Sequence, residues 1–249
     1  GDDDNVGTVE FVTTSELDNP ARPAFGGTLR DMLLFVNDNQ ATYARGGAER
    51  PQPMAMVFDE AGYGVRELAA TWNLPLMKKP IAIEGGRLEA SVLADGVERI
   101  GIKGTAGVKR GLTFGRGSDG SSVTDVAMYG YTDGIALWMT SGVNTVQNSF
   151  IGMADDGTKV ENRLGLVLSS PRAVNNLIGG SDFDEKGGNQ FTANRAAGVF
   201  IVNSATGNRV YGNHIEDNGD GLRIKNATAN YIGAATAAGI ETGASNTIV

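Results

Sequence analysis

The side chains with the most evident chemical capacity in this 249-residue chain are carboxylates set in glycine-rich turns. Glu216 leads into Asp217-Asn218-Gly219-Asp220-Gly221, and Asp182, Asp184 and Glu185 form a second acidic turn. Ca²⁺ takes several oxygens from carboxylates and backbone carbonyls, so Asp217 and Asp220 are candidate calcium ligands, and calcium is the one cofactor the sequence proposes. The spacing is not that of an EF-hand, because the terminal Glu is missing, and no tandem Gly-Gly-x-Gly-x-Asp repeat occurs. Solvated corners between strands explain such turns equally well. Tyr129, Tyr131 and Tyr211 are candidates for stacking on sugar rings, with Trp72 and Trp138 as further aromatics. The same rings could instead fill the interior. There is no Cys and a single His, His214, so a thiol nucleophile is excluded, and no Gly-x-Ser-x-Gly elbow is present. No residue is assigned a catalytic role.

These residues sit in a chain built from short repeats. Arg209-Val210-Tyr211 and Leu222-Arg223-Ile224 alternate with period two, and each is bounded by Gly and Asn, which turn a chain at little steric cost. An Asn followed by an apolar alternation recurs at Asn144, Asn176, Asn189, Asn208, Asn230 and Asn246. A Gly followed by one recurs at Gly134, Gly165, Gly198 and Gly221. The strands are too short for a sandwich of hairpins and too closely spaced for crossover helices, which points to a parallel β-helix whose turns stack on one another. The two phrases read as two faces of one coil. Asn is expected at the bends, because it tolerates left-handed dihedrals and can hydrogen-bond to like residues on successive turns.

Composition narrows the function. With 41% hydrophobic residues and 7 prolines the chain can bury a core. A net charge of −8 excludes nucleic acid as a partner and disfavours anionic membrane surfaces. No apolar run approaches the ~18 residues of a membrane helix, so no membrane insertion is expected.

Along the chain, a first strand is expected from Val9, a loop over Ser15–Phe25, and a helix from Gly26 onward. Thr28 and Asp31 resemble an N-cap with its reciprocal acid, and Leu29, Met32, Leu33 and Val36 form one apolar stripe. The helix is expected to cover the N-terminal end of the coil. Ala41–Pro53 reads as a loop and rungs follow from Met54. The closing Ser245-Asn246-Thr247-Ile248-Val249 opens another copy of the repeat. That predicts a fragment of a longer chain, a covering partner, or self-association through the uncapped C-terminal end.

Asn148-Ser-Phe-Ile151-Gly152 through Thr158, then Asn162, Gly165, Asn176, Asn189, Asn194, Gly198 and Gly207-Asn208-Arg-Val-Tyr-Gly212-Asn213 recur in register. This pattern resembles the right-handed parallel β-helix repeats of bacterial extracellular and surface proteins, in the pectate-lyase-like superfamily. Gly27-Thr28-Leu29-Arg30-Asp31-Met32-Leu33 is similar to the Leu-Arg-Glu-Ala-Ile element that begins many such proteins, with Asp-Met-Leu in place of Glu-Ala-Ile. The resemblance spans most of residues 26–249. It implies an exported, bacterial-type protein, extracellular or at the cell surface, adhesin-like or a polysaccharide lyase, hydrolase or epimerase.

The enzymatic side of the resemblance is thin. Arg223-Ile224-Lys225 matches the Arg-Ile-Lys signature of polygalacturonases. Their Asn-Thr-Asp is here Asn144-Thr145-Val146, Asp155-Asp156 lies in a turn, and His214 is not flanked as in Gly-His-Gly. A glycoside hydrolase would need two positioned carboxylates.

The sequence therefore predicts one all-β domain over residues 1–249. Residues 1–25 are a strand and loop, 26–39 an amphipathic capping helix and 54–249 the rungs. The expected function is a structural or adhesive rod segment, with a polysaccharide or another cell-surface protein as partner. The alternative is a lyase or hydrolase with carboxylates and an Arg gathered in a groove along one sheet.

Overall fold

The computed structural model describes residues 8–11, 29–38, 42–45, 48–51, 54–58, 67–70, 72–85, 99–180, 188–233, 235–236, 239–240 and 246–248. In the strands before residue 59 and in 235–240 it describes the backbone course only.

Three sheets run the length of the molecule. The first holds β1 (Thr8–Phe11), β4 (Met54–Phe58), β7 (Ile81–Glu84), β10 (Ser122–Thr124), β13 (Thr145–Gln147), β16 (Leu177–Gly179), β19 (Arg209–Tyr211) and β22 (Tyr231–Ile232). The second holds β5 (Glu67–Ala70), β8 (Ile100–Gly104), β11 (Val126–Tyr129), β14 (Phe150–Ile151), β17 (Gln190–Thr192), β20 (His214–Glu216) and β25 (Thr247–Ile248). The third holds β6 (Leu76–Met77), β9 (Arg110–Phe114), β12 (Ile135–Met139), β15 (Asn162–Ser169), β18 (Asn194–Val202) and β21 (Leu222–Lys225). Neighbouring strands in these sheets are parallel, and the chain visits the three in rotation. Parallel crossovers are right-handed in nearly all proteins, and the coil is a right-handed parallel β-helix. It has three faces rather than the two expected: the Asn phrase opens strands of both the first and the second sheet, and the Gly phrase belongs to the third.

The core follows from the period of two. Ile83, Val123, Val146, Ile178, Val210 and Ile232 lie in register down the inside of the first sheet. Ile102, Met128, Ile151, Phe191 and Ile215 do so in the second. Met77, Phe114, Met139, Leu168, Ile201 and Ile224 do so in the third. All of these but Ile224 and Ile232 are fully buried in one cluster. A slip of one residue would turn each column to solvent, so the apolar alternation fixes the register.

Asparagines divide the work at the corners. Asn144, Asn176, Asn208 and Asn230 form one ladder, in which each Nδ2 donates to the next Oδ1 at 2.8 to 3.0 Å. Asn189, Asn213 and Asn246 form a second and Asn162, Asn194 and Asn218 a third. One ladder therefore runs down each corner. The asparagines with positive φ are different ones, Asn148, Asn175, Asn203 and Asn226. The expectation that one set of asparagines would both bend the chain and bond along it is corrected: the residue with positive φ just before a ladder asparagine is of varied type, as at Val143, Asn175, Gly207 and Ala229, and the asparagine after it does the bonding. A turn is as short as 22 residues, from Asn208 to Asn230. It lengthens to 32 from Asn144 to Asn176, a turn that contains residues 152–161.

Helix α1 (Leu29–Asp38) buries Leu29, Met32, Leu33 and Val36 in the main core against β6, the first strand of the third sheet. Arg30 donates to the Asn73 carbonyl at 2.7 Å. Asn37 Oδ1 accepts from the Lys78 backbone N–H at 2.7 Å and its Nδ2 donates to the Leu76 carbonyl at 2.8 Å. One side-chain amide thus makes the two bonds that a parallel strand would make across Met77, so the exposed edge is satisfied without a strand. Thr28, the expected N-cap, and the loop expected over Ser15–Phe25 lie outside the described residues. The expected loop over Ala41–Pro53 contains an antiparallel hairpin, β2 (Thr42–Arg45) with β3 (Ala48–Pro51). Only Gly46 and Gly47 separate the two strands, a length and composition typical of a tight hairpin. A second hairpin pairs β23 (Ala235–Thr236) with β24 (Gly239–Ile240).

Candidate functional site

With the interior committed to packing, any chemistry must lie on the outward positions, and the three outer faces differ. On the first sheet Ser122 pairs in register with Thr145, and Thr124 with Gln147. The columns continue through Leu177 to Arg209 and through Gly179 to Tyr211. Ser122, Thr124, Thr145, Gln147 and Tyr211 are half-buried, and none of these side chains makes a hydrogen bond among the described residues. With rungs ~4.8 Å apart and alternate residues ~6.6 Å apart along a strand, this is a flat patch of hydroxyl and amide groups, with the exposed charges Glu84 and Arg209 at its two ends in the same columns. Gly179 keeps it flat where it crosses to Tyr211: its φ is +100°, and a Cβ there would lie 1.9 Å from the Tyr211 carbonyl oxygen.

The second face is charged, and its charges are engaged with one another. Glu67 accepts from the Tyr129 hydroxyl at 2.7 Å and pairs with Lys103 at 3.2 Å. Burial, then the Glu67 contact, pushes the Tyr129 phenol well above its usual range. Residues 152–161 fold across this face as a strap, closed on itself by Ala154 N–H to Thr158 carbonyl and Val160 N–H to Gly152 carbonyl bonds. Met153 and Val160 pack with Ala127, Tyr129 and Phe150 in a separate apolar cluster outside the coil. Asp155 anchors one end of the strap on Arg99 at 3.3 Å. The Arg99 guanidinium lies 3.8 Å above the Phe150 ring and donates to Asn148 at 2.8 and 3.0 Å. At the other end Lys159 pairs with Asp217 and, at 3.5 Å, with Glu216. The Lys159 ammonium is raised by the Asp217 hydrogen bond. Glu216 is held below its ordinary range, first by the hydrogen bond from His214, 3.2 Å away, and then by Lys159. Asp156 is lowered by the backbone N–H of Thr158.

The third face is apolar. Thr113, Trp138, Val167, Phe200 and Arg223 succeed one another in register, and Leu164, Val167 and Ala197 are buried by half-buried neighbours that include Trp138 and Phe200. The Arg223 guanidinium lies 5.6 Å from the Phe200 ring centre.

The residues singled out in the sequence do not gather. Asp217 pairs with Lys159, while Asp220 pairs with Arg223 three residues on. Among the described residues no group of three or more His, Cys, Asp or Glu side chains could hold a metal ion. Asp182, Asp184 and Glu185 lie outside the described residues. Tyr131 is corrected as a sugar-stacking candidate: it is wholly buried, its ring filling the space above Gly104 and Gly111. Tyr129 is 5% exposed and its hydroxyl is committed to Glu67. Of the three tyrosines only Tyr211 has a ring on an open face. The polygalacturonase-like residues scatter too: Asn144 is buried in a ladder, Asp155 and His214 are on the second face, and Arg223 is on the third. The Ser, Thr and Gln columns of the first face escaped the sequence reading, although period-two alternation around Val123 and Val146 marks them.

The three parallel sheets and the rotation of the chain through them define a right-handed parallel β-helix protein. Residues 84–243 match the family described as periplasmic copper-binding protein (NosD), and the chain belongs to that family. No curated protein and no solved structure matches the chain. The family's description places it in the periplasm, outside the cytoplasm, and no helix among the described residues is long and apolar enough to cross a membrane.

Proposed function

We propose that this protein is an exported scaffold, a rigid rod whose first face is an adhesive surface for a neutral polysaccharide of the cell surface. The observation that carries this reading is the uncommitted grid of Ser122, Thr124, Thr145, Gln147 and Tyr211 beside a second face whose charges are already paired. Sugar hydroxyls exchange hydrogen bonds with hydroxyls and amides, and a tyrosine ring supplies the apolar platform. The net charge of −8 disfavours polyanionic glycans. The role is binding, whereas cleavage would call for an acid and a base positioned on either side of one bond. The full chain should bind an immobilised β-1,4-linked glucan or chitin oligomer, fail to bind polygalacturonate, and release no new reducing ends. Failure to bind any neutral glycan sinks the adhesive role.

Two further expectations belong to this reading. Association of two copies through the C-terminal rungs would cover Ile224, Tyr231, Ile232 and Ile248, all exposed there. Light scattering should then show a dimer that Ile232→Lys dissolves, whereas a wild-type monomer removes the idea. Calcium at Asp217 and Asp220 would have to displace Lys159 and Arg223, so EDTA should leave Tm unchanged. A fall in Tm restores the metal.

A further inference from the structure

The family's description names copper, and the donor set of this chain can be tested against it. Thiolate and thioether sulfur select Cu(I), and Cu(II) favours imidazole nitrogen, completed where needed by oxygen donors. The chain has no Cys and one His. His214 stands on the outer second face in register with Gln190 and Thr247, and the chain has no second imidazole and no thiolate to join it. The carboxylate beside it, Glu216, already receives Lys159, Gln190 and His214 itself.

The remaining soft donors are thioethers. Met32, Met77, Met128 and Met139 are buried in the main apolar core, and Met153 lies under the strap. They fill space among Leu, Ile and Phe side chains, the ordinary use of this adaptable residue. A cation at any of them would be stripped of water in an apolar surrounding with no compensating charge, which is prohibitive. The side chains of Met54 and Met56 lie outside those described.

We infer that this chain supplies the family's β-helix without a copper centre, the soft donors among its described side chains having been spent on packing. The inference does not depend on the glycan-binding role, because it rests on donors rather than on the first face. The test is copper retention by the full chain. The protein is loaded separately with Cu(II) in air and with Cu(I) under anaerobic conditions, then desalted, and copper is counted by mass spectrometry. His214→Gln is treated in parallel, and Tm is read with and without each ion. The expected result is retention of less than roughly half an equivalent per chain for both ions, with Tm unmoved. Retention of more than that in either oxidation state overturns the inference. Its loss in His214→Gln would then place the metal at the second face, and its survival would place it at thioether or oxygen donors elsewhere.

Discussion

The first and second faces are built on the same scaffold and have been put to opposite uses. Both rest on an inward column of large apolar side chains, and both present two outward positions per short strand. On the first, a run of those positions between Glu84 and Arg209 carries hydroxyl and amide groups without partners among the described residues. On the second they carry Glu67, Lys103, Tyr129, His214 and Glu216, which bond to one another and to a strap laid across the rungs. Inward positions are dictated by packing in every rung, so individuality resides in what faces out. A face that satisfies its own polar groups contributes to folding, and one that leaves them open is available to a ligand.

The sharpest way to break this contrast is to remove the apolar anchor of the strap. Phe150 is 9% exposed and lies under Arg99. Phe150→Ala should cost about 3 kcal/mol in urea denaturation, from lost burial and an uncovered guanidinium. Arg99→Ala should cost a similar ~3 kcal/mol, because the strap loses the partly buried ion pair that ties Asp155 to the rungs. A loss below ~1 kcal/mol in both would mean that the strap merely rests on the sheet.

The opposite behaviour is expected on the first face. Gln147→Ala and Tyr211→Ala should each leave stability within about 0.5 kcal/mol of wild type. Tyr211→Ala should weaken glucan binding roughly tenfold, from the loss of a stacked ring. If instead these variants unfold the protein as readily as Phe150→Ala does, the two faces are not different in kind.

The fold was legible because solenoid repeats are local. Asn and Gly before each apolar alternation announce a turn, and Leu29, Met32, Leu33 and Val36 announce the covering helix. The number of faces was less legible, because Asn opens the rungs of two different sheets and nothing in Asn189-Gln190-Phe191 separates it from Asn208-Arg209-Val210. The site was least legible. Whether Tyr129 or Tyr131 meets solvent depends on the strap and on which glycines lie beneath the ring, and both are set by residues tens of positions away. The strap looked like an ordinary acidic turn, since the partners of Asp155 and Lys159, namely Arg99 and Asp217, lie 56 and 58 residues off in sequence. The neutral grid was missed for a different reason: Ser, Thr and Gln on a strand carry no signature until the register aligns them.

The smallest expected effect distinguishes the faces by pH. Glu216 has its folded value lowered from 4.5 by His214 and Lys159. Its contribution is therefore fully present above 4.5 and is lost as the pH falls through the lowered value. Lys159 has its folded value raised from 10.5, so its contribution is present below 10.5 and disappears as the pH climbs through the raised one. The upper end of the strap should hold throughout the interval between and loosen outside it. These groups are largely exposed, so the effect is small and screened by salt. Lys159→Met should lie slightly below wild type in Tm at neutral pH. The gap should narrow as the pH falls through the lowered Glu216 value and that carboxylate takes up its proton. Ser122, Thr124, Thr145 and Gln147 have nothing to titrate there, so glucan binding should stay flat while the chain remains folded. A gap in Tm that persists in acid would show that Lys159 steadies the strap by packing its methylenes rather than by charge.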